Sequence, residues 1–106
     1  MLAEYHAVNT QDENGNPTGG SVEGTGISIS WQDGPLGKGT DRREPNGAFV
    51  ETVMDACRQR IQAYQSSKFV CKENAMAIIK LEEALMWLNK RTQDREVRGV
   101  EGIHEV

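Results

Sequence analysis

Residues 64–98 read YQSSKFVCKENAMAIIKLEEALMWLNKRTQDREVR, and this stretch decides the fold. It reads as the turn of a helical hairpin followed by one long helix. The polar run QSSK marks the turn. From Val70 onward, Ala75, Ile78, Ile79, Leu81, Leu85, Met86 and Leu88, with Trp87, supply more apolar surface than one packed face needs. Lys80 and Glu83 interrupt that surface, and no apolar run approaches the ~18 residues of a membrane span. An over-wide apolar face on a hairpin predicts a second helix pair packed against it. The helical pattern continues to about Arg98, where Gly99 supplies a stop.

The first helix of the hairpin lies just upstream. Asn46 is a good N-cap for AFVETVMDACRQRIQAY, and Glu51 suits the positive helix start. Phe49, Val53, Cys57, Ile61 and Tyr64 form one stripe, widened by Val50 and Met54. They predict an amphipathic helix of about five turns.

The front of the chain has a different character, since nine of the eleven glycines fall in the first 47 residues. Tyr5 to Val8 reads as a short strand. QDENGNPTGG follows, and its Asn14-Gly15 pair is a strong turn signal because both residues tolerate positive φ. Ser21 to Thr25 is ambiguous. GISISW, residues 26–31, alternates with period two and puts Ile27, Ile29 and Trp31 on one face of a strand. DGPLGKGTDRREPNG, residues 33–47, is a connector. The predicted fold class is α+β: a small N-terminal antiparallel β-sheet packed on a long antiparallel two-helix hairpin, in one domain spanning residues 1–106. The β-rich part and connector take 1–45, the hairpin 46–98, and a C-terminal strand or tail 99–106. A chain this short buries only about two-thirds of its unfolded surface, and oligomerisation is the ordinary remedy for so thin a hairpin.

The chemistry on offer is narrow. A net charge of −4 argues against DNA or RNA as partner, because duplex binding rests on broad basic surfaces. His6 and His104 are far apart and neither has a ligand at metal spacing, so no metal site is expected. GPLGKGT lacks the strand, spacing and helix of a phosphate loop. No serine has a nucleophile-elbow setting and no carboxylate pair stands out as acid and base. No catalytic residue, enzyme activity or cofactor is therefore expected. Met1 to Thr10 has no basic start and no apolar core, so no secretory signal is read. Cys57 and Cys71 are then expected as free buried thiols in a reducing cytoplasm, rather than as a disulfide.

The positive features are few, and each has a plainer reading. Arg91, Arg95 and Arg98 share one helical face. They are either surface cations suited to a helix C-terminus or a phosphate clamp, for which the planar guanidinium fork is apt. Tyr64 is either core or a stacking shelf for a purine. Asn74 either caps the second helix or reads a base edge or ribose hydroxyl. Trp31 either covers the helix pair or stacks on a ligand. Arg42 and Arg43, beside Asp41 and Glu44, are either solvated or further phosphate contacts. Asn74 and Arg91 lie 17 residues apart, which is about 26 Å along a helix. One small ligand cannot bridge that distance within one chain. Between two antiparallel copies the two sets meet, and a two-fold axis makes two equal composite pockets.

GISISWQDGPLG, NGAFVETVMDACRQRIQAYQSSKF and KENAMAIIKLEEALMWLNKRTQDREVRGVEGIHEV together resemble the phage-encoded Thoeris anti-defence proteins of the first type, whose hairpin is shared with a phage anti-CBASS protein. The resemblance covers roughly residues 26–106, and its most specific part is the ending RTQDREVRGVEGIHEV. It implies a sponge in the cytoplasm of an infected bacterium. Such a protein binds cyclic ADP-ribose isomers made by TIR-domain enzymes without hydrolysing them, as a homodimer or as a homohexamer built from three dimers. Some hexamers of the family hold cyclic oligonucleotides of CBASS defence at separate sites. By position, Tyr64 matches an aromatic that stacks on the base, Asn74 an amide that contacts base or ribose, and Arg91 and Arg95 the phosphate-binding arginines. Arg98, Arg42 and Arg43 have no secure match. Three rivals remain: a sponge for CBASS nucleotides, a non-enzymatic protein adaptor, and a hydrolase that destroys the signal.

Overall fold

The first half of the chain folds through hydrogen bonds rather than burial. In the computed structural model, which describes residues 1–106, strands β1 (Tyr5–Gln11), β2 (Pro17–Gly24) and β3 (Ile27–Ser30) form an antiparallel sheet in the order β1-β2-β3. The ambiguous segment at Ser21 is inside the central strand. Gly20 is required there: its φ is +148°, and a Cβ would meet the Val8 carbonyl oxygen at 2.2 Å. Helices α1 (Val50–Gln65) and α2 (Lys72–Val97) follow. The fold is α+β. Residues 1–49 with 100–106 make one compact unit and residues 50–99 a second.

The β1–β2 turn is tighter in its chemistry than Asn-Gly alone suggests. Gly15 has φ +80°, but no residue other than glycine has positive φ, so Asn14 does not use its tolerance for it. The loop is instead a three-residue one with a left-handed glycine. The Asp12 N–H donates to the Asn16 carbonyl at 3.0 Å, and the Gly15 N–H to the Asp12 carbonyl at 3.1 Å. The Asp12 carboxylate accepts the Asn14 and Asn16 N–H groups at 2.9 and 3.0 Å. The Asn16 N–H, more than any other group, holds that carboxyl below its ordinary range.

Asn46 does not cap a helix. Its side-chain oxygen accepts the Asp33 N–H at 2.8 Å, its amide donates to the Asp33 carbonyl at 3.0 Å, and its own N–H donates to Gln32 Oε1 at 2.8 Å. Ala48 then forms a parallel bridge with Trp31, which keeps the chain extended and delays α1 to Val50. Residues 100–106 form turns and bends, not an edge strand. Gly102, at φ +81°, and the bond from the Ile103 N–H to the Val100 carbonyl bend the backbone where a strand must stay extended. Arg42 anchors this tail through a two-pronged pair with Glu101, at 2.6 and 3.1 Å.

In the second unit α1 and α2 pack against each other. Only Ile78, 8% exposed, is buried. Along α2 the half-buried positions Asn74, Leu81, Leu85, Leu88, Thr92 and Arg95 join Ile78 in steps of four and three. That spacing keeps a seam on one side of a helix. On α1 the half-buried set includes Val53, Met54, Arg58, Ile61 and Gln65. The predicted stripe is therefore displaced, because Cys57 and Tyr64 are exposed. Cys71, just ahead of α2, is exposed too, so neither free thiol is buried as expected. Opposite the α2 seam, Ile79 (51%), Met86 (61%) and Trp87 (60%) lie open. The Arg98 N–H donates to the Asp94 carbonyl at 3.2 Å, and Gly99, at φ +73°, ends the helix as expected.

Candidate functional site

The turn end of the hairpin is held by side chains. The Gln65 amide donates to the Cys71 carbonyl and accepts the Cys71 N–H, each at 3.0 Å. This pair spans the loop between the helices as a strand pair would. Ser67 Oγ donates to the Tyr64 carbonyl at 2.6 Å and accepts the Phe69 N–H at 3.1 Å. Local bonds of this kind are why serine suits turns.

Tyr64 stands directly before that loop. The residue is 41% exposed, so it is not a core residue. Its hydroxyl accepts the Arg60 Nε–H at 3.2 Å, and the Arg60 guanidinium carbon lies 5.0 Å from the ring centroid. Asn74 is half-buried in the first turn of α2. It is not the cap, because Cys71 occupies that position, with extended backbone and no side-chain cap bond.

At the other end two solvated ion pairs link charged side chains. Arg91 Nη2 lies 3.8 Å from Glu51 Oε2, and Lys90 Nζ lies 3.6 Å from Asp94 Oδ2. Both pairs are largely solvated, and ion pairs of that sort contribute under about 1 kcal/mol. Arg91 is exposed, Arg95 is half-buried, and Arg98 is exposed at the C-cap. The Arg91–Glu51 pair joins the start of α1 to the late turns of α2. Tyr64 and Asn74 flank the turn, so the two sets stand at opposite ends of the hairpin. The 17 residues from Asn74 to Arg91 lie within the single helix α2 and correspond to about 26 Å.

The remaining candidates belong to the first unit. Trp31 is half-buried and its N–H donates to the Gly20 carbonyl at 3.0 Å. Arg42 is engaged by Glu101, as above. Arg43 lines a hollow of about 330 Å³ with Asp33, Asp41, Glu44, Gln32 and Asn46 among its neighbours. Three carboxylates lining the same hollow make it a poor setting for an anion.

Two residues of interest escaped the sequence reading. Arg60 sits four residues before Tyr64, the spacing at which helix side chains meet; that offset was the available signal. Glu51 fits a helix start by its position, and nothing local in the sequence links it to Arg91.

Comparison with known proteins places these observations. Residues 24–93 match the family described as Acb2/Tad1, hairpin domain. The chain belongs to that family. The matched span holds Trp31, Arg42, Arg43, Tyr64, Asn74 and Arg91, and stops short of Arg95 and Arg98. A relative from Bacillus phage SBSphiJ7, named Thoeris anti-defense 1, is 51% identical over 78 residues, which is 74% of this chain. The alignment spans 52% of that relative's own length. Within the Acb2/Tad1 hairpin family, then, this chain carries two exposed aromatics at the turn, Tyr64 and Phe69, and a run of arginines at the far end. No helix in it is long and apolar enough to cross a membrane.

Proposed function

We propose that this chain is a phage anti-defence sponge of the Thoeris type. It binds cyclic ADP-ribose isomers made by TIR-domain enzymes in the cytoplasm of the infected host and withholds them from their effector. Two copies lie antiparallel, and each pocket is composite. Tyr64 of one copy stacks on the base, Asn74 contacts base or ribose, and Arg91 and Arg95 of the second copy clamp the phosphates. Charge-assisted arginine–phosphate bonds are stronger than neutral ones and suit tight capture. No bond of the ligand is broken, so the protein acts by stoichiometry and slow release. Arg98 stands beside the clamp as a secondary contact. Arg42 serves the fold through Glu101.

One observation carries this reading. In a chain of the Acb2/Tad1 hairpin family, a solvent-exposed aromatic and an amide flank the turn, arginines stand about 26 Å away, and apolar Ile79, Met86 and Trp87 lie open on the same helix. An antiparallel second copy accounts for all three features at once: it covers the apolar face and brings arginines to the aromatic.

Native mass spectrometry against a panel of cyclic ADP-ribose isomers and cyclic oligonucleotides tests the proposal. The expected result is an even-numbered oligomer holding one intact cyclic ADP-ribose isomer per chain. Preferential capture of cyclic oligonucleotides transfers the role to CBASS signals, and ligand of altered mass identifies a hydrolase. A lone protomer that still retains its nucleotide overturns the composite pocket. No nucleotide bound at all leaves the adaptor role.

A further inference from the structure

The contact between Arg60 and Tyr64 has no role in the pocket as argued so far, and it occurs at the residue on which that pocket depends. Two distances describe this one contact. The guanidinium lies against the ring at 5.0 Å from the centroid, and its Nε–H reaches the phenol oxygen at 3.2 Å. Both residues are on α1 one helical turn apart. No carboxylate of the chain pairs with Arg60, whereas Arg58 on the same helix is tied to Asp55 at 2.9 Å. The Tyr64 carbonyl is fixed as well, by the Ser67 hydroxyl at 2.6 Å. The Tyr64 backbone is thus anchored, and its hydroxyl has a side-chain partner, before any ligand arrives.

We propose that Arg60 is a positioning residue for the Tyr64 shelf. The guanidinium closes one approach to the ring and leaves the opposite face as the single stacking surface. Binding then spends little on ordering the aromatic, because its rotamer is already selected. The arginine also polarises the ring, since a cation draws on the negative quadrupole of the face it covers. A purine, planar and with electron-rich edges, is the ligand class that gains from a rigid one-sided shelf. The hydroxyl acts through Arg60, which gives tyrosine, rather than phenylalanine, a purpose at this position. This inference rests on the sponge reading, and its test is built to fail separately from it.

The first arm uses the ligand-free protein. The Arg60 Nε–H resonance is followed by nuclear magnetic resonance in the wild type and in Tyr64→Phe. A displaced, faster-exchanging Nε–H in Tyr64→Phe supports the pair; an unchanged resonance overturns it whatever the protein binds. The second arm is calorimetry with cyclic ADP-ribose as probe. Arg60→Ala is expected to weaken binding roughly two- to five-fold, the range of an exposed cation–π contact. The thermal midpoint is checked to show that the fold is kept. In a Tyr64→Ala background the same change is expected to cost nothing further, since residues that act through each other are non-additive. An equal loss in both backgrounds overturns the positioning role and leaves the sponge intact. Wild type that binds no cyclic nucleotide overturns the sponge, and the shelf with it, while the resonance still reports whether the pair exists.

Discussion

The two ends of the hairpin are built on opposite plans. At the turn end, Gln65, Ser67 and Arg60 each hold a partner at hydrogen-bond distance, and Tyr64 is fixed at two points. At the far end, Arg91 has only a solvated contact with Glu51 at 3.8 Å. Under the proposed pocket, the difference is a division of the work of recognition between the two ends. An aromatic shelf must be rigid, because stacking depends on orientation. A phosphate clamp works with long, mobile side chains, because charge attraction tolerates adjustment and the guanidinium fork supplies the geometry when the anion arrives. On the proposed reading neither end suffices alone, and a second copy joins them.

Separating the two ends in space should therefore have the largest effect. Met86→Glu puts a charge on the open apolar face without touching the seam around Ile78. The expected result is a helical monomer, seen by circular dichroism and light scattering, with no measurable binding of cyclic ADP-ribose. Retained binding by that monomer would mean that the two ends never needed to meet. Removing the clamp comes next. Arg91→Ala should weaken binding roughly ten- to a hundred-fold, the range of one charge-assisted hydrogen bond. Its thermal midpoint should change little, since the ion pair it loses is worth under about 1 kcal/mol. Equal affinity by calorimetry would remove Arg91 from the pocket and erase the contrast between the ends.

The turn end should respond in the other currency, stability. Gln65→Ala removes both bonds across the loop to Cys71, and the half-buried amide leaves no side-chain substitute. A loss of about 1–2 kcal/mol is expected in urea unfolding, one ordinary hydrogen-bond contribution per contact. Affinity should fall by less than it does in Arg91→Ala. A variant as stable as wild type would show that the loop does not depend on its staple.

Much of this was legible in the sequence because helices announce themselves locally. The α2 apolar pattern and Gly99 located the second helix to within two residues at its start and one at its end. GISISW marked β3. The opposite-ends geometry of Tyr64–Asn74 and Arg91 followed from helix rise alone. What was not legible depended on contacts between distant residues. The Gln32–Asn46 clamp spans 14 positions, and it turned a sound N-cap signal into a loop anchor. The Arg42–Glu101 pair spans 59 positions, so its arginine read as a loose surface cation. The α1 stripe was displaced because Cys57 and Tyr64 fit an apolar pattern yet face solvent in a single copy. Periodicity reports which residues are apolar and cannot say which neighbour covers them.

The smallest effect should come from Glu51, and its sign discriminates best. The carboxylate lies near Arg91 without a close hydrogen bond, and both groups are more than a third exposed. If Arg91 receives a phosphate, Glu51 competes with that phosphate for the same guanidinium. Glu51→Gln keeps the side-chain shape and removes the competing charge. Affinity for cyclic ADP-ribose should then rise roughly two- to five-fold, in keeping with the modest worth of an exposed ion pair. The gain should shrink as salt is added, because screening weakens the competition before the substitution does. Were Glu51 instead a support that orients Arg91, the same variant would bind more weakly. The adaptable end would then be as pre-set as the turn end, and the division of labour between them would not stand.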